Sequence, residues 1–231
     1  MFTLKKYLIH PLEFPLTPPE LKPYEVHVWQ LPIDLVQEEN LPLSEHEVKR
    51  SQAFHFEKDR IQYRVSTAYL RKLISLYTGQ DPEKITYARG LKGKPHLIDP
   101  AQLKFNMTHS HHMALYAFTL DREIGVDVEF MRPMQAMEGI VENQFSKAEQ
   151  ALFNNLSEKD KSSYFFATWT LKEAYLKAHG TGIREGIHQI EFQKHGEKEG
   201  DSFGVIIEIE HCECVQYFID ATYSAAIAVV T

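Results

Sequence analysis

Three carboxylates and one ammonium in this 231-residue chain have the types and spacing needed to act on a phosphate. Asp127 and Glu129 lie in Ile124-Gly125-Val126-Asp127-Val128-Glu129-Phe130, where apolar residues alternate with Gly, Asp and Glu. A strand has a period of two, so it sets Asp127 and Glu129 on one face and the apolar residues on the other. Glu173 and Lys177 lie in Trp169-Thr170-Leu171-Lys172-Glu173-Ala174-Tyr175-Leu176-Lys177, which reads as a helix begun by Ser157 or Asp160 and ended by Gly180. Residues four apart share a helical face, so Phe166, Thr170, Glu173 and Lys177 form one stripe. Packing that strand on that helix would bring three carboxylates and Lys177 into one small volume. Oxygen-only ligands suit a hard cation such as Mg2+, which keeps waters and takes phosphate oxygens as further ligands. Taken singly, the pieces also fit ordinary roles, a strand face in water and a surface Glu–Lys helix pair.

The two pieces together resemble the two-part signature of the 4'-phosphopantetheinyl transferases, closest to the larger single-chain type that activates surfactin synthetase. The signature residues are Gly125-Val126-Asp127-x-Glu129 and Trp169-x-x-Lys172-Glu173-Ala174-x-x-x-Lys177, with Asp127 and Trp169 separated by 42 positions. The resemblance implies Asp127, Glu129 and Glu173 as Mg2+ ligands and Lys177 as a second positive charge on the substrate phosphates. It also covers Gly93-Lys94-Pro95, where relatives use the lysine to hold coenzyme A, and Arg89, at a position that is often basic. Phe105-Asn106-Met107-Thr108-His109-Ser110 is similar to the family's Phe-Asn-x-Ser-His-Ser strand end, which implies that Thr108 and His109 contact the phosphate or phosphoadenosine end of coenzyme A. Relatives carry further basic residues at positions matching Glu47 and Gln62, and Arg50 is expected to take over part of their work.

Glu149 has two readings. Ser146-Lys147-Ala148-Glu149 is a capping box, in which Glu149 would bond the backbone N–H of Ser146. The family's Phe-Ser-x-x-Glu element instead points to a catalytic or positioning role near the metal. The expected nucleophile is a serine of the partner protein, so a general base is required. Glu173, Glu149 and a metal-bound water all remain candidates.

Other constellations carry less. His109, His111 and His112 lack a fourth ligand nearby, and alternation would put His109 and His111 on one strand face with His112 opposite, a poor zinc site. Cys212-Glu213-Cys214 lacks the spacing of a zinc knuckle or a thioredoxin-type site and reads as core packing. The chain has no Gly-x-x-x-x-Gly-Lys-Ser loop, which argues against the common triphosphate hydrolases.

Composition sets the frame. Hydrophobic residues at 43% and charged residues at 25% are ordinary for a globular protein, and 231 residues can bury a substantial core. The net charge of −7 argues against a general nucleic-acid binder. The stretch after Lys5 and Lys6 is too interrupted by Pro, His and Glu for a signal-peptide core, and no apolar run approaches membrane-spanning length. A cytoplasmic protein with no membrane or nucleic-acid partner is expected.

The elements that must position the site follow in order. Residues 1–23, with five prolines, are expected to form an extended surface arm without regular structure. Residues 24–121 read as a strand at Tyr24–Leu31, a helix after the Ser44–Glu47 capping box, a long helix over Lys58–Tyr77 ended by Gly79, and strands near Lys84–Ala88, Lys104–Thr108 and Met113–Thr119. Residues 122–231 repeat that order, with closing strands near Ile187–Gln193, Gly204–Glu210, Cys214–Ile219 and Ala225–Val230. No residue-level repeat links the halves. The expected fold is α/β (α+β), two similar strand-helix-helix-strand halves related by a pseudo-twofold, a pseudo-dimer working as a monomer. The resemblance adds the activity: transfer of 4'-phosphopantetheine from coenzyme A, the co-substrate, to a serine of an apo acyl or peptidyl carrier protein, with release of 3',5'-ADP. A non-catalytic coenzyme A or carrier-binding module, or another Mg2+-dependent phosphoryl-transfer enzyme, are the alternatives.

Overall fold

In the computed structural model two four-stranded sheets pack face to face, each with a long helix on its outer side. It describes all residues except 12, 16, 91, 182–186, 193–205 and 210. The elements in chain order are β1 (Thr3–Leu8), β2 (Glu25–Pro32), α1 (Glu45–Ser51), α2 (Glu57–Thr78), β3 (Tyr87–Arg89), β4 (Pro95–Leu97), β5 (Leu103–Ser110), β6 (Met113–Leu120), β7 (Ile124–Phe130), α3 (Met137–Gln144), α4 (Lys147–Asn155), α5 (Glu158–His179), β8 (Ile206–Ile209), β9 (Cys212–Phe218) and β10 (Tyr223–Val230). The first sheet runs β1-β2-β6-β5 and the second β7-β10-β9-β8, with β3 and β4 as a separate hairpin. Thus β2 pairs antiparallel with β6 after α1 and α2, and β7 with β10 after α4 and α5, the second half adding α3 before them. The repeated strand-helix-helix-strand order is therefore present.

Alternation decides the layering. Val26, Val28, Leu115 and Ala117 of the first sheet share one core cluster with Val126, Val128, Val215 and Ile227 of the second. The opposite faces, with Trp29, Leu31, Tyr116 and Phe118 on one sheet and Cys212, Cys214, Ala226 and Ala228 on the other, pack on α2 and α5 respectively. Strands covered on both faces read as nearly unbroken apolar runs, which is the pattern of β6 and β10. The two cysteines sit side by side in this core, with sulfurs 3.8 Å apart.

Both capping boxes form at the expected residues, Ser44 with Glu47 and Ser146 with Glu149. Gly79 and Gly180 end the long helices at φ 72° and 65°. Four expectations need correction. The first residues are not an irregular arm: β1 adds to the first sheet in parallel with β2, from Thr3 opposite Glu25 to Leu8 opposite Gln30, and Phe2 and Ile9 flank it in the core. The prolines begin only at Pro11, so they never interrupt this ladder. The strand expected near Ile187 is a 3-10 turn at Ile187–Gln189, with Ile187 buried against α5; Gln193 lies outside the described residues. The strand expected at Lys84–Ala88 is shorter and later, at Tyr87–Arg89. Helix α3 was not expected, and it packs Val141 beside Phe145 and Phe165. Of the strand expected near Gly204–Glu210, Ile206–Ile209 is present and residues 204, 205 and 210 lie outside the described residues. No described helix is long and apolar enough to cross a membrane.

Candidate active site

Glycine at position 125 lets β7 meet α5. A Cβ there would lie 2.0 Å from the Ala174 carbonyl oxygen and 2.4 Å from the Ala178 nitrogen, so backbone packs on backbone. One pleat further along, the same face of β7 presents Asp127, then Glu129, to the stripe of α5 that carries Glu173 and Lys177. The structure brings Lys177 to Asp127: Lys177 Nζ donates to Asp127 Oδ1 at 2.6 Å and also reaches Thr108 Oγ1 and the Val126 carbonyl, each at 3.3 Å. Thr170, one turn before Glu173, meets Ser224 of β10 at 3.1 Å.

The third wall is β5, where period two divides the labour of one motif. Asn106, Thr108 and Ser110 point at β7 as a row. Asn106 Oδ1 accepts from the Val126 N–H at 2.9 Å, Thr108 Oγ1 donates to Asp127 Oδ1 at 3.2 Å, and Ser110 Oγ donates to Glu129 Oε2 at 2.9 Å while accepting from the Phe130 N–H. The strand end of the first half thus aims both carboxylates of the second. Sequence reasoning missed Asn106 and Ser110, although their alternation with Thr108 was the available signal. His109 faces the other way, into a cleft of about 700 Å³ whose lining includes Arg50, Tyr63, Tyr87, Arg89, Thr108 and Lys177. His111 does not share that face, because it sits in a turn at φ 53° and lines a second cleft of about 390 Å³ with Lys58, Glu129, Arg132 and Trp169.

The electrostatics are those of a site lacking positive charge. Burial raises the Asp127 carboxyl, which is 4% exposed, against the pull of Lys177. Glu129 is raised by burial and then by the charge of Asp127. Glu173, 5% exposed, is pushed up to about 7 by burial and then by Asp127, with Lys177 opposing. Desolvation by the surrounding cleft walls and then the Lys177 charge push the His109 imidazole down, although the residue itself is exposed on the cleft. Asp127 Oδ2 and Glu173 Oε1 are buried with no hydrogen-bond partner. Among the described residues, no three His, Cys, Asp or Glu side chains are already gathered to hold a metal ion. Hard oxygen donors, two orphaned buried acceptors and mutually raised carboxyls are nonetheless what a small divalent cation would relieve.

The remaining expected residues are placed as follows. The Arg50 guanidinium lies 5.5 Å from the Tyr63 ring centroid, and Arg89 donates to the Gly93 carbonyl at 3.0 Å. Lys94 lies outside the 700 Å³ cleft lining: its ammonium bonds Glu123 at 2.7 Å and the Ala178 carbonyl at the end of α5 at 2.9 Å. It lines a neighbouring cleft of about 340 Å³ with Glu173 and Lys177. Glu149 is 4% exposed, held by the Ser146 N–H and by Lys172. The acidic departure Glu47 is neutralised by Arg71 at 2.7 Å, and Gln62 bonds the His111 carbonyl.

Comparison with known proteins matches both halves. A family model described as the 4'-phosphopantetheinyl transferase superfamily covers residues 123–228, and one described as 4'-phosphopantetheinyl transferase, N-terminal, covers residues 28–119. The chain is 35% identical over 174 residues to the 4'-phosphopantetheinyl transferase HetI of Nostoc sp., covering 72% of this chain and 73% of that one. It is 29% identical over 167 residues to the putative 4'-phosphopantetheinyl transferase slr0495 of Synechocystis sp., covering 71% and 68%. It is 28% identical over 204 residues to the 4'-phosphopantetheinyl transferase Sfp of Bacillus subtilis, covering 84% and 86%.

Proposed function

The chain belongs to the 4'-phosphopantetheinyl transferase superfamily, and from that premise we propose that it moves the 4'-phosphopantetheine of coenzyme A onto a serine of an apo acyl or peptidyl carrier protein. The observation that carries this reading is the carboxylate trio with Lys177 at the edge of a cleft walled by cationic residues of the other half. Coenzyme A brings a pyrophosphate and a 3'-phosphate, and Arg50, Arg89, His109 and Lys177 are the donors that cleft offers them. Lys94, on the adjoining wall, adds positive charge at the junction with α5.

In the reaction the serine oxygen bonds to the phosphorus carrying the pantetheine arm, and the bridging P–O bond breaks to release 3',5'-ADP. Asp127, Glu129 and Glu173 would hold Mg2+, which supplies neutralisation of the charge on the phosphate oxygens. Lys177 adds a second positive charge from the same side. Glu173, whose Oε1 has no protein hydrogen-bond partner, is the acceptor we assign to the serine proton. Thr108 and Ser110 keep Asp127 and Glu129 aimed while this happens. Both walls of the cleft come from one chain, which suits a monomer, and the two substrates are those of the cytoplasm. The test is mass spectrometry of an apo carrier protein incubated with coenzyme A and this protein. A gain of one phosphopantetheine that requires Mg2+ is expected, and no gain under any condition refutes the assignment.

A further inference from the structure

Each half uses its capping-box glutamate for a second task. In the first half, Glu47 Oε2 accepts from the Ser44 N–H at 2.8 Å and from Arg71 Nε at 2.7 Å. Arg71, 2% exposed, donates through Nη1 to the carbonyls of Pro82 at 2.6 Å and Ile85 at 3.1 Å, in the chain that follows α2. In the second half, Glu149 Oε2 accepts from the Ser146 N–H at 2.8 Å and lies 2.9 Å from Lys172 Nζ. Lys172 is wholly buried and donates to the carbonyls of Ile187, at 2.9 Å, and Ile190, in the chain that follows α5. Glu47 and Glu149 are each the third residue of their short helix, and Arg71 and Lys172 are each the fifteenth of their 22-residue helix. The halves share no obvious sequence repeat, yet they share this clamp of cap glutamate, helix cation and carbonyls of the chain that follows the long helix.

Neither charge can be buried alone. Removing one partner of such a pair leaves an uncompensated ion, whereas removing both is far milder. The pair therefore ties a short helix, a long helix and the segment after it into one rigid corner. In the first half that corner lines the 700 Å³ cleft, with Glu47 and Arg71 beside Arg50. In the second half it holds the residue immediately before Glu173. Glu149 itself is not among the lining residues of the three clefts around Glu129, Glu173 and Lys177. Its Oε1 is buried without a partner, so Lys172 carries the compensation of its charge.

We propose that Glu149 is a positioning residue that acts through Lys172, fixing α5 so that Glu173 faces Asp127, and that Glu47 with Arg71 does the same for the coenzyme A wall. This rests on the transferase reading above. It excludes Glu149 as the proton acceptor, and it assigns the two clamps to different kinetic constants: the second to kcat, the first to the KM for coenzyme A.

The experiment compares transfer to an apo carrier protein by wild type, Glu149→Gln, Lys172→Met, the double variant Glu149→Gln/Lys172→Met, and Lys172→Arg, with melting temperatures for each. Glutamine keeps the cap bond, so Glu149→Gln isolates the ion pair. Glu149→Gln and Lys172→Met are each expected to lower kcat by about tenfold or more with the KM for coenzyme A within about twofold of wild type. The double variant should recover most of that loss, because both charges leave together. Lys172→Arg should outperform Lys172→Met, since arginine fills the matching place in the first half. The pair Glu47→Gln and Arg71→Met should raise the KM for coenzyme A instead. A double variant as inactive as Glu149→Gln but melting like wild type would place Glu149 on the reacting atoms and overturn the proposal. So would wild-type kinetics in Glu149→Gln. If wild type transfers nothing, the transferase reading has failed, and non-additive melting temperatures in the same variants still decide whether the clamp exists: additive ones dismiss it.

Discussion

Replacing Glu173 with glutamine should make the metal-free protein more stable and inactive. The carboxyl titrates at about 7 in the folded chain against an ordinary 4.5, because burial and then the charges of Asp127 and Glu129 oppose its ionisation more than Lys177 favours it. A raised folded value means that the folded state binds the proton more tightly than the unfolded chain. That contribution is fully present below pH 4.5 and is lost as the pH rises through about 7. At about 1.4 kcal/mol per unit, the ionised wild type gives up roughly 3 kcal/mol above neutrality, and Glu173→Gln does not. For a chain of this size, at about 2–4 °C per kcal/mol, the variant should melt roughly 6–12 °C above wild type at pH 8 in excess EDTA. At pH 5 the difference should shrink towards zero. Adding Mg2+ should raise the wild-type midpoint and move the variant's much less, because one of three proposed ligands has lost its charge. Circular dichroism melts at both pH values, with and without the metal, measure all of this. A variant that melts at or below wild type at pH 8 in EDTA would refute the claim that Glu173 is held against like charge.

Asp127→Ala should abolish transfer while keeping one cooperative unfolding transition, since it removes a proposed ligand and frees Lys177; near-normal turnover with Mg2+ would dismiss the assignment. His109→Ala and Lys94→Ala should weaken coenzyme A binding in calorimetric titrations, the first more strongly, because Lys94 is shared with Glu123 and the end of α5; unchanged affinity in both would remove them from the site. Lys94→Ala should also cost about 1 kcal/mol in urea unfolding, from lost bonds to Glu123 and the Ala178 carbonyl. Gly125→Ala should cost about 3 kcal/mol or more and depress turnover, because a methyl at 2.0 Å from the Ala174 carbonyl must push β7 off α5; a stable, active Gly125→Ala protein would contradict that packing.

Much of the architecture was legible because it depends on local chemistry. Ser44 and Ser146 cap where a side-chain oxygen can serve the third helical N–H, and Gly79 and Gly180 stop helices where only positive φ closes the last turn. What stayed hidden depends on partners far away in the chain. β1 holds only because β2 offers a free edge and Phe2 and Ile9 find a core, and proline density in the residues behind it masked that. The 3-10 turn at Ile187 carries the same apolar residues as a strand, and the Lys172 ammonium takes the carbonyls that a ladder would have used.

The site shows the same division between spacing and partner. Asp127, Glu129, Glu173 and Lys177 could be set on common faces from periodicity alone, since two periods, 2 and 3.6, fix which side each residue takes. Their chemistry could not be read that way. Oppositely charged neighbours at i,i+4 suggested that Lys177 would pair with Glu173, but its closest carboxylate is Asp127, across the strand–helix junction. That choice leaves Glu173 buried and facing two anions without a hydrogen bond on Oε1, and burial first, then the charge of Asp127, raises its carboxyl to about 7. The same logic applies to Gly125, which in sequence is only a weak point in a strand. In the fold it sets the distance between β7 and α5, and without that distance the carboxylates of one and the lysine of the other would share spacing but no volume.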